Sequence, residues 1–115
     1  MKAVKALVLL SSAVLISVFS AQAMERGAED MVLSGGKRGE VPFPHHRHQD
    51  ALKDCQICHK LFPQEEGVIE ALKAKGELKK KKVMNNCTSC HKKMAKAGQK
   101  SGPKSCKDCH VKKKK

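Results

Sequence analysis

Hydrophobic residues form one continuous run near the N-terminus and are thinly spread over the rest of the chain. The run covers residues 6–19, follows two lysines and precedes Ala21-Gln22-Ala23, a small-x-small sequence typical of signal-peptide cleavage sites. It is shorter than the roughly 20 residues that a membrane-spanning helix needs. We therefore interpret residues 1–23 as a cleaved signal peptide and residues 24–115 as one mature domain. A retained membrane anchor is the alternative.

Two short β-prone segments open the mature chain. Met31-Val32-Leu33 and Val41-Pro42-Phe43 flank the glycine-rich sequence of residues 34–39. Apolar, β-branched segments on either side of such a turn sequence are typical of a hairpin. The pattern predicts a small N-terminal two-stranded β hairpin with a loose loop.

Helical periodicity is weak and confined to short stretches. Residues 48–53 are expected to form one or two helical turns. Residues 64–82 are the best helix candidate, because apolar side chains recur there at Val68, Ile69, Leu72 and Leu78. Pro63 lies near the predicted start of this helix, and Gly76 is expected to break it.

The side chains offer little material for a hydrophobic core. The chain has no tryptophan or tyrosine and three phenylalanines, while charged residues make up 30% of it. A composition so poor in large apolar residues is typical of chains that do not fold unaided. The composition therefore predicts that a bound group supplies most of the core.

Three Cys-x-x-Cys-His motifs account for every cysteine of the chain: Cys55-Gln56-Ile57-Cys58-His59, Cys87-Thr88-Ser89-Cys90-His91 and Cys106-Lys107-Asp108-Cys109-His110. This sequence is the attachment signature of c-type haem. The two thiols form thioethers with the haem vinyl groups, and the histidine becomes the first axial ligand of the iron. We therefore expect three covalent haem c groups, with the polypeptide wrapped around them.

The other three histidines cluster just before the first motif, in Phe43-Pro44-His45-His46-Arg47-His48. Each iron needs a second axial ligand unless it is left open for chemistry. His45 and His48 are three residues apart, so a tight turn or a helix could direct them to two different haems and bring those haems close together. His46 is expected to point away, and a shift of register that exchanges His46 for His45 is an open alternative.

Lysine gives the whole chain a formal net charge of +13 and is crowded into residues 79–82, 92–93 and 112–115. Such runs keep a small protein soluble, and they also steer it toward acidic redox partners or anionic oxidants. Nucleic acid is an unfavoured partner, because the chain is expected to be exported and lacks aromatic residues for base stacking.

Two other classes of protein share parts of this pattern. The second and third motifs are spaced like the cysteine pairs of a zinc ribbon, but that interpretation leaves the first motif without a partner and does not need the histidines. A haem enzyme with an open third iron, acting on peroxide or nitrogen oxides, is the other alternative. The sequence has no dinucleotide-binding motif, phosphate-binding loop or hydrolase arrangement.

Nearly all of the mature chain resembles the triheme c-type cytochromes of the cytochrome c7 family, relatives of the tetrahaem cytochromes c3. The resemblance rests on residues 30–33, on residues 41–49 and on the three motifs, with Lys92-Lys93-Met94 following the second. It implies a small multihaem cytochrome c3-like fold. Such a fold has little regular structure: a short hairpin and a few short helices wrap three haems.

The resemblance also implies a set of distal ligands. The histidine that matches His45 lies opposite the one that matches His59, and the histidine that matches His48 crosses to the haem of His91. Residues 60–86 form a segment of 27 residues, longer than is usual in the family.

The third haem departs from the family pattern. The usual distal histidine lies four residues before the second motif, where this chain has Val83 followed by Met84. A thioether can ligate haem iron, so we predict His110 and Met84 as the axial pair of the third haem. Met94 is a weaker candidate, and the alternatives are packing of Met84 against a haem edge or an open iron.

The resemblance implies a periplasmic electron carrier and not an enzyme. The protein would accept electrons from quinol-linked donors of the inner membrane and pass them to other cytochromes or terminal reductases in anaerobic, metal-type respiration. We expect a monomer with no stable membrane insertion after cleavage, whose redox partners present acidic surfaces.

Because the haems are expected to form the core, replacing the six motif cysteines with alanine should leave the chain largely unfolded. Far-ultraviolet circular dichroism and urea titration of this variant, beside the haem-loaded protein, would measure the effect. Cooperative unfolding of the haem-free variant would contradict the prediction.

Overall fold

The computed structural model describes residues 26–112, so the predicted signal peptide lies outside the described residues. The elements, in chain order, are β1 (Asp30–Leu33), β2 (Val41–Pro44), α1 (His45–Leu52), α2 (Gln56–His59), α3 (Val68–Ala74), α4 (Lys82–Lys96) and α5 (Cys106–Cys109). A 3₁₀ turn, Gly36–Arg38, lies in the loop between the strands. Over these residues no helix combines the length and the apolar character needed to cross a membrane.

The predicted hairpin is confirmed, and its two faces differ in exposure. β1 and β2 pair antiparallel, with Met31 opposite Phe43 and Leu33 opposite Val41. These four residues are half-buried and share one face, because alternate residues of a strand point to the same side. Val32 lies on the other face and is 64% exposed. The hairpin therefore presents one apolar face to the interior of the molecule.

The C-terminal part of the chain returns to this hairpin. Glu40, just before β2, and Val111 form an antiparallel bridge. The N–H of Glu40 donates to the Val111 carbonyl at 3.0 Å, and the N–H of Val111 donates to the Glu40 carbonyl at 2.8 Å. Because Val111 directly follows the third motif, these two bonds attach that motif to the entrance of β2.

α1 begins at His45, earlier than the predicted start at residue 48. The first N–H groups of a helix have no acceptor within the helix, and here the segment before β1 supplies one: the N–H of His46 donates to the Glu29 carbonyl at 3.1 Å. Arg26, in the same segment, forms a 2.7 Å ion pair with Asp50 near the C-terminal end of α1. These outside partners allow the helix to start directly after β2.

The helix predicted over residues 64–82 is wrong in its bounds, since α3 covers only Val68–Ala74. It ends where Gly76, at a φ of 74°, lets the N–H of Glu77 donate to the Leu72 carbonyl at 2.9 Å. A left-handed glycine with this bond is the Schellman motif that closes many helices. The expected break at Gly76 is therefore confirmed.

The longest helix, α4, spans Lys82–Lys96 and has no counterpart among the predicted elements. Its half-buried residues recur at intervals of three and four, which is the helical period; they include Val83, Cys87, Cys90, His91 and Met94. Most of this stripe belongs to the second motif or adjoins it. The periodicity is visible in the sequence once cysteine and histidine are counted with the apolar residues.

The polypeptide side chains bury one another very little. Among residues 26–112, Leu78 is the only buried hydrophobic residue, at 6% exposure, and no polar residue is buried. Folded domains of this length normally enclose several fully buried apolar side chains. The observation agrees with a core that bound groups, rather than side chains, supply.

Candidate haem-ligand sites

Each cysteine motif lies on or beside a helix. The first begins at the N-cap of α2, the second lies inside α4, and the third occupies α5 and the residue after it. Residues i, i+3 and i+4 lie on one face of a helix. The helical form therefore places both thiols and the histidine of a motif on the same side. All six cysteines lie within the described residues as free thiols, available for thioether bonds.

The thiols of the first two motifs lie close together. Asn86 Nδ2 donates to the Ile57 carbonyl at 3.4 Å and lies 4.0 Å from Cys58 Sγ, which brings α2 against α4. Burial raises the pKa of the Cys58 thiol, and the nearby Cys90 adds to the increase. Burial also raises the pKa of Cys87. Because an ordinary cysteine is already neutral at pH 7, these thiols remain protonated until haem is attached.

Two pairs of histidine rings lie at similar separations. The ring centroids of His45 and His59 are 6.3 Å apart, and those of His48 and His91 are 6.1 Å apart. Two metal–nitrogen bonds of about 2 Å, plus about 1.2 Å from each nitrogen to its ring centre, predict about 6.4 Å between the ring centres of two imidazoles on opposite sides of one metal ion. The size of each gap therefore fits one haem iron.

The backbone holds the second ring nitrogen of each predicted histidine ligand. Nδ1 lies at hydrogen-bond distance from a carbonyl oxygen in five rings: His45 to Ala28 (3.0 Å), His48 to Pro44 (2.8 Å), His59 to Phe62 (3.3 Å), His91 to Pro103 (2.7 Å) and His110 to Gly39 (3.2 Å). A carbonyl oxygen only accepts, so Nδ1 must donate its hydrogen. The lone pair of a neutral ring then lies on Nε2, where it is available to a metal ion.

His46 has the opposite arrangement. Its Nε2 lies 3.0 Å from the Gly27 carbonyl oxygen, so the nitrogen that would bind iron is already engaged. Its ring centroid is 6.1 Å from that of His45, which shows that separation alone does not identify a ligand pair. The hydrogen-bond pattern favours His45 over His46 as a ligand.

The third site is assembled differently. His110 belongs to no histidine ring pair within residues 26–112, although its Nδ1 is held by Gly39. Met84 is 41% exposed on the first turn of α4, and its carbonyl accepts from Thr88 Oγ1 at 3.0 Å. Val83 and Met94 are half-buried on the same helix. These contacts leave the thioether of Met84 accessible and do not bring it to His110.

A zinc ribbon would need four ligands that converge from the second and third motifs. In the described part of the chain, no group of three or more histidine, cysteine, aspartate or glutamate side chains is arranged to hold a metal ion. The geometry therefore gives the zinc alternative no support.

Two glycines, Gly35 and Gly102, lie directly against histidine rings. From the sequence alone, the segments that contain them are interpretable only as loops. A Cβ at Gly102 would lie 2.5 Å from Cε1 of His91, and a Cβ at Gly35 would lie 2.7 Å from Cε1 of His110. Both glycines therefore let the backbone approach an imidazole ring. The enrichment of glycine in residues 34–39 is the only signal that could have indicated this role.

Comparison with known proteins places these observations in one family. The model of the class III cytochrome c family matches residues 20–110. A cytochrome c7 from Geobacter metallireducens is 35% identical over 85 residues, which cover 74% of this chain and 79% of the relative.

Two solved structures are similar in both sequence and shape. PpcE, a cytochrome c7 from Geobacter sulfurreducens, is 26% identical with a TM-score of 0.52, and the match covers 72% of this chain and 97% of PpcE. The triheme cytochrome PpcA from the same organism is 36% identical with a TM-score of 0.51, and the match covers 74% of this chain and 100% of PpcA.

Proposed function

The chain belongs to the class III cytochrome c family and is similar to cytochrome c7, and on this premise we propose that it is a periplasmic electron-transfer protein. It has the cytochrome c7 fold and carries three c-type haems, for which its three motifs provide the attachment cysteines. It would take electrons from quinol-linked donors of the inner membrane and pass them to other cytochromes or terminal reductases in anaerobic, metal-type respiration.

The observation that carries this proposal is the pairing of histidine rings whose centroids lie 6.3 and 6.1 Å apart and whose Nδ1 atoms are held by backbone carbonyls. We assign His59 and His45 to the first haem, and His91 and His48 to the second. Protein side chains then fill both axial positions of two irons, which leaves those irons no site for a substrate. Six-coordinate haem iron supplies one-electron exchange, the chemistry of a carrier.

For the third haem we propose His110 and Met84 as the axial pair. Support comes from the accessible thioether of Met84 and from the absence of a histidine partner for His110 among the described residues. A thioether ligand favours ferrous iron more than imidazole does, so this haem would have the highest potential of the three. The protein would then fill this site with an electron first.

The backbone carbonyls hold the ligands in one orientation. An Nδ1–H that donates to a carbonyl makes the imidazole a stronger base at Nε2, which favours ferric iron. It also prevents the ring from turning when the iron gains or loses an electron. The chain thereby keeps the ligand geometry constant between the two oxidation states.

We propose that basic surface guides this protein to acidic redox partners. Residues 79–82 are four consecutive exposed lysines. The ion pairs described in residues 26–112 involve other cations, namely Arg26 with Asp50 and Lys73 with Glu70. Unneutralised lysines of this kind raise association rates with acidic surfaces, and salt screens the effect.

The proposal is tested on protein purified from the periplasm of a host with c-type haem maturation. We expect three haems per chain that survive acid-acetone extraction, and a sharp α band after reduction with dithionite. Addition of carbon monoxide to the reduced protein should leave the spectrum unchanged. A colourless protein would contradict the proposal.

Binding of carbon monoxide also distinguishes an electron carrier from the second candidate function, which is a haem enzyme with an open third iron. The observation that favours this candidate is that His110 lacks a histidine partner in the described residues. Rapid carbon monoxide binding by one haem in three, together with peroxide or nitrogen-oxide turnover, would establish the enzyme instead.

Replacing His45 with alanine should convert one of the three haems from low-spin to high-spin iron, because Nε2 of His45 is predicted to be its distal ligand. His46→Ala is the matched control and should leave all three haems low-spin, since Nε2 of His46 is engaged by Gly27. Electron paramagnetic resonance of the oxidised proteins measures both. A high-spin haem in the His46 variant alone would reverse the assignment.

Replacing Met84 with histidine should lower the highest of the three potentials, on the order of 100 mV, because axial ligands are a main determinant of haem potential. The methionine-to-iron charge-transfer band of the oxidised protein should disappear with it. Met94→His is the control and should leave that potential unchanged. An unchanged highest potential in the Met84 variant would remove Met84 as a ligand.

A further inference from the structure

The hairpin loop, residues 34–39, encloses the histidine of the third motif. The Gly39 carbonyl oxygen lies 3.2 Å from Nδ1 of His110, across 71 positions of sequence. Immediately beyond each of these residues, Glu40 and Val111 exchange backbone hydrogen bonds of 3.0 and 2.8 Å. The ring of His110 is therefore held by the loop itself and not by its own short helix alone.

Gly35 makes this contact possible through its lack of a side chain. A Cβ there would overlap the Gly39 carbonyl oxygen and Nδ1 of His110, and would lie 2.7 Å from Cε1 of the same ring. The φ of Gly35 is −100°, which any residue adopts. Its conformation does not require glycine, so the requirement arises from space against the Gly39 carbonyl oxygen, which is the nearest atom, and against the ring of His110.

Gly36, the next residue, has the opposite properties. Its φ is 61°, in the left-handed region, yet no atom lies within 4 Å of the place where its Cβ would be. A side chain at Gly36 would strain the backbone by about 1 kcal/mol or more and touch nothing. A substitution at Gly36 therefore tests loop stability without a new contact, whereas one at Gly35 changes the Gly39 carbonyl and the His110 ring that bonds to it.

We propose that Gly35 is a positioning residue for the third haem, and this rests on the proposed role of His110 as an axial ligand. Gly35 lets the loop close over the imidazole, so that the Gly39 carbonyl receives the Nδ1 hydrogen. That bond makes His110 a stronger ligand and favours the ferric state of its iron. The loop acts through His110 and touches no other predicted ligand among the described contacts.

Gly35→Ala should displace the imidazole of His110 and lengthen its bond to Gly39. We expect the ferric-to-ferrous equilibrium of the haem bound by His110 to move about tenfold toward ferrous, or about 59 mV for one electron. The ferric-to-ferrous equilibria of the other two haems should change by less than a factor of about two, because a substitution affects mainly the groups that it contacts. Spectroelectrochemical titration, with each haem followed by its own NMR signals, measures the three equilibria separately.

Gly36→Ala is the matched control in the same loop. It should lower thermal stability through its left-handed φ and leave all three equilibria unchanged. The proposal is overturned if Gly35→Ala leaves the haem of His110 unchanged, if it shifts all three haems alike, or if Gly36→Ala reproduces its effect.

A second variant covers the case in which Gly35→Ala fails to mature. Val111→Pro removes the N–H that donates to the Glu40 carbonyl at 2.8 Å and does not change Gly35, Gly39 or His110 themselves. It should shift the same single haem in the same direction, and the absence of that shift would overturn the proposal. Failure of the proposed function is distinguishable, since it would appear in the unmodified protein as missing haem or as carbon monoxide binding.

Discussion

The hydrogen bond from a histidine Nδ1–H to a backbone carbonyl is the interaction on which all three proposed metal sites depend. Each of the five predicted histidine ligands makes one, and the acceptors come from the N-terminal segment, the hairpin and the loops after the motifs. Because few side chains are buried among residues 26–112, packing contributes little to fixing a ring, apart from the contacts of Phe43 with His48 and of Phe62 with His59. Directional bonds to the backbone fix it instead, so the path of the main chain determines where each Nε2 points.

Features of the structure that depend on residues close together in the sequence could be predicted from it. The hairpin follows from alternation on either side of a glycine-rich turn, and the break at Gly76 follows from the left-handed backbone that glycine tolerates. His45 lies near His59, and His48 near His91, while the assignment of these rings as ligand pairs stays a prediction from family resemblance. The early start of α1 could not be predicted, because it depends on an acceptor at Glu29 that lies outside the helix.

Other features could not be predicted, mainly because they depend on contacts between residues that are far apart in the sequence. α4 could not be predicted from apolar residues alone, because three of its periodic residues are the two cysteines and the histidine of the second motif. Gly35 looked like an ordinary loop residue, since nothing near it in sequence indicates that His110 will lie against it. The ligand opposite His110 stays a prediction for the same reason: only its place in the sequence indicates Met84, and no contact within residues 26–112 joins the two.

β2 separates the backbone carbonyls that hold one histidine of each of the proposed second and third haem sites. The carbonyl of Gly39, at its entrance, accepts from His110, and the carbonyl of Pro44, at its end, accepts from His48. Five residues of extended chain span about 17 Å, and an extended backbone is already near its maximum length. It cannot stretch when one site changes charge. The distance between these two redox centres should therefore stay constant through a full reduction cycle, which keeps the reorganisation energy of electron exchange between them low.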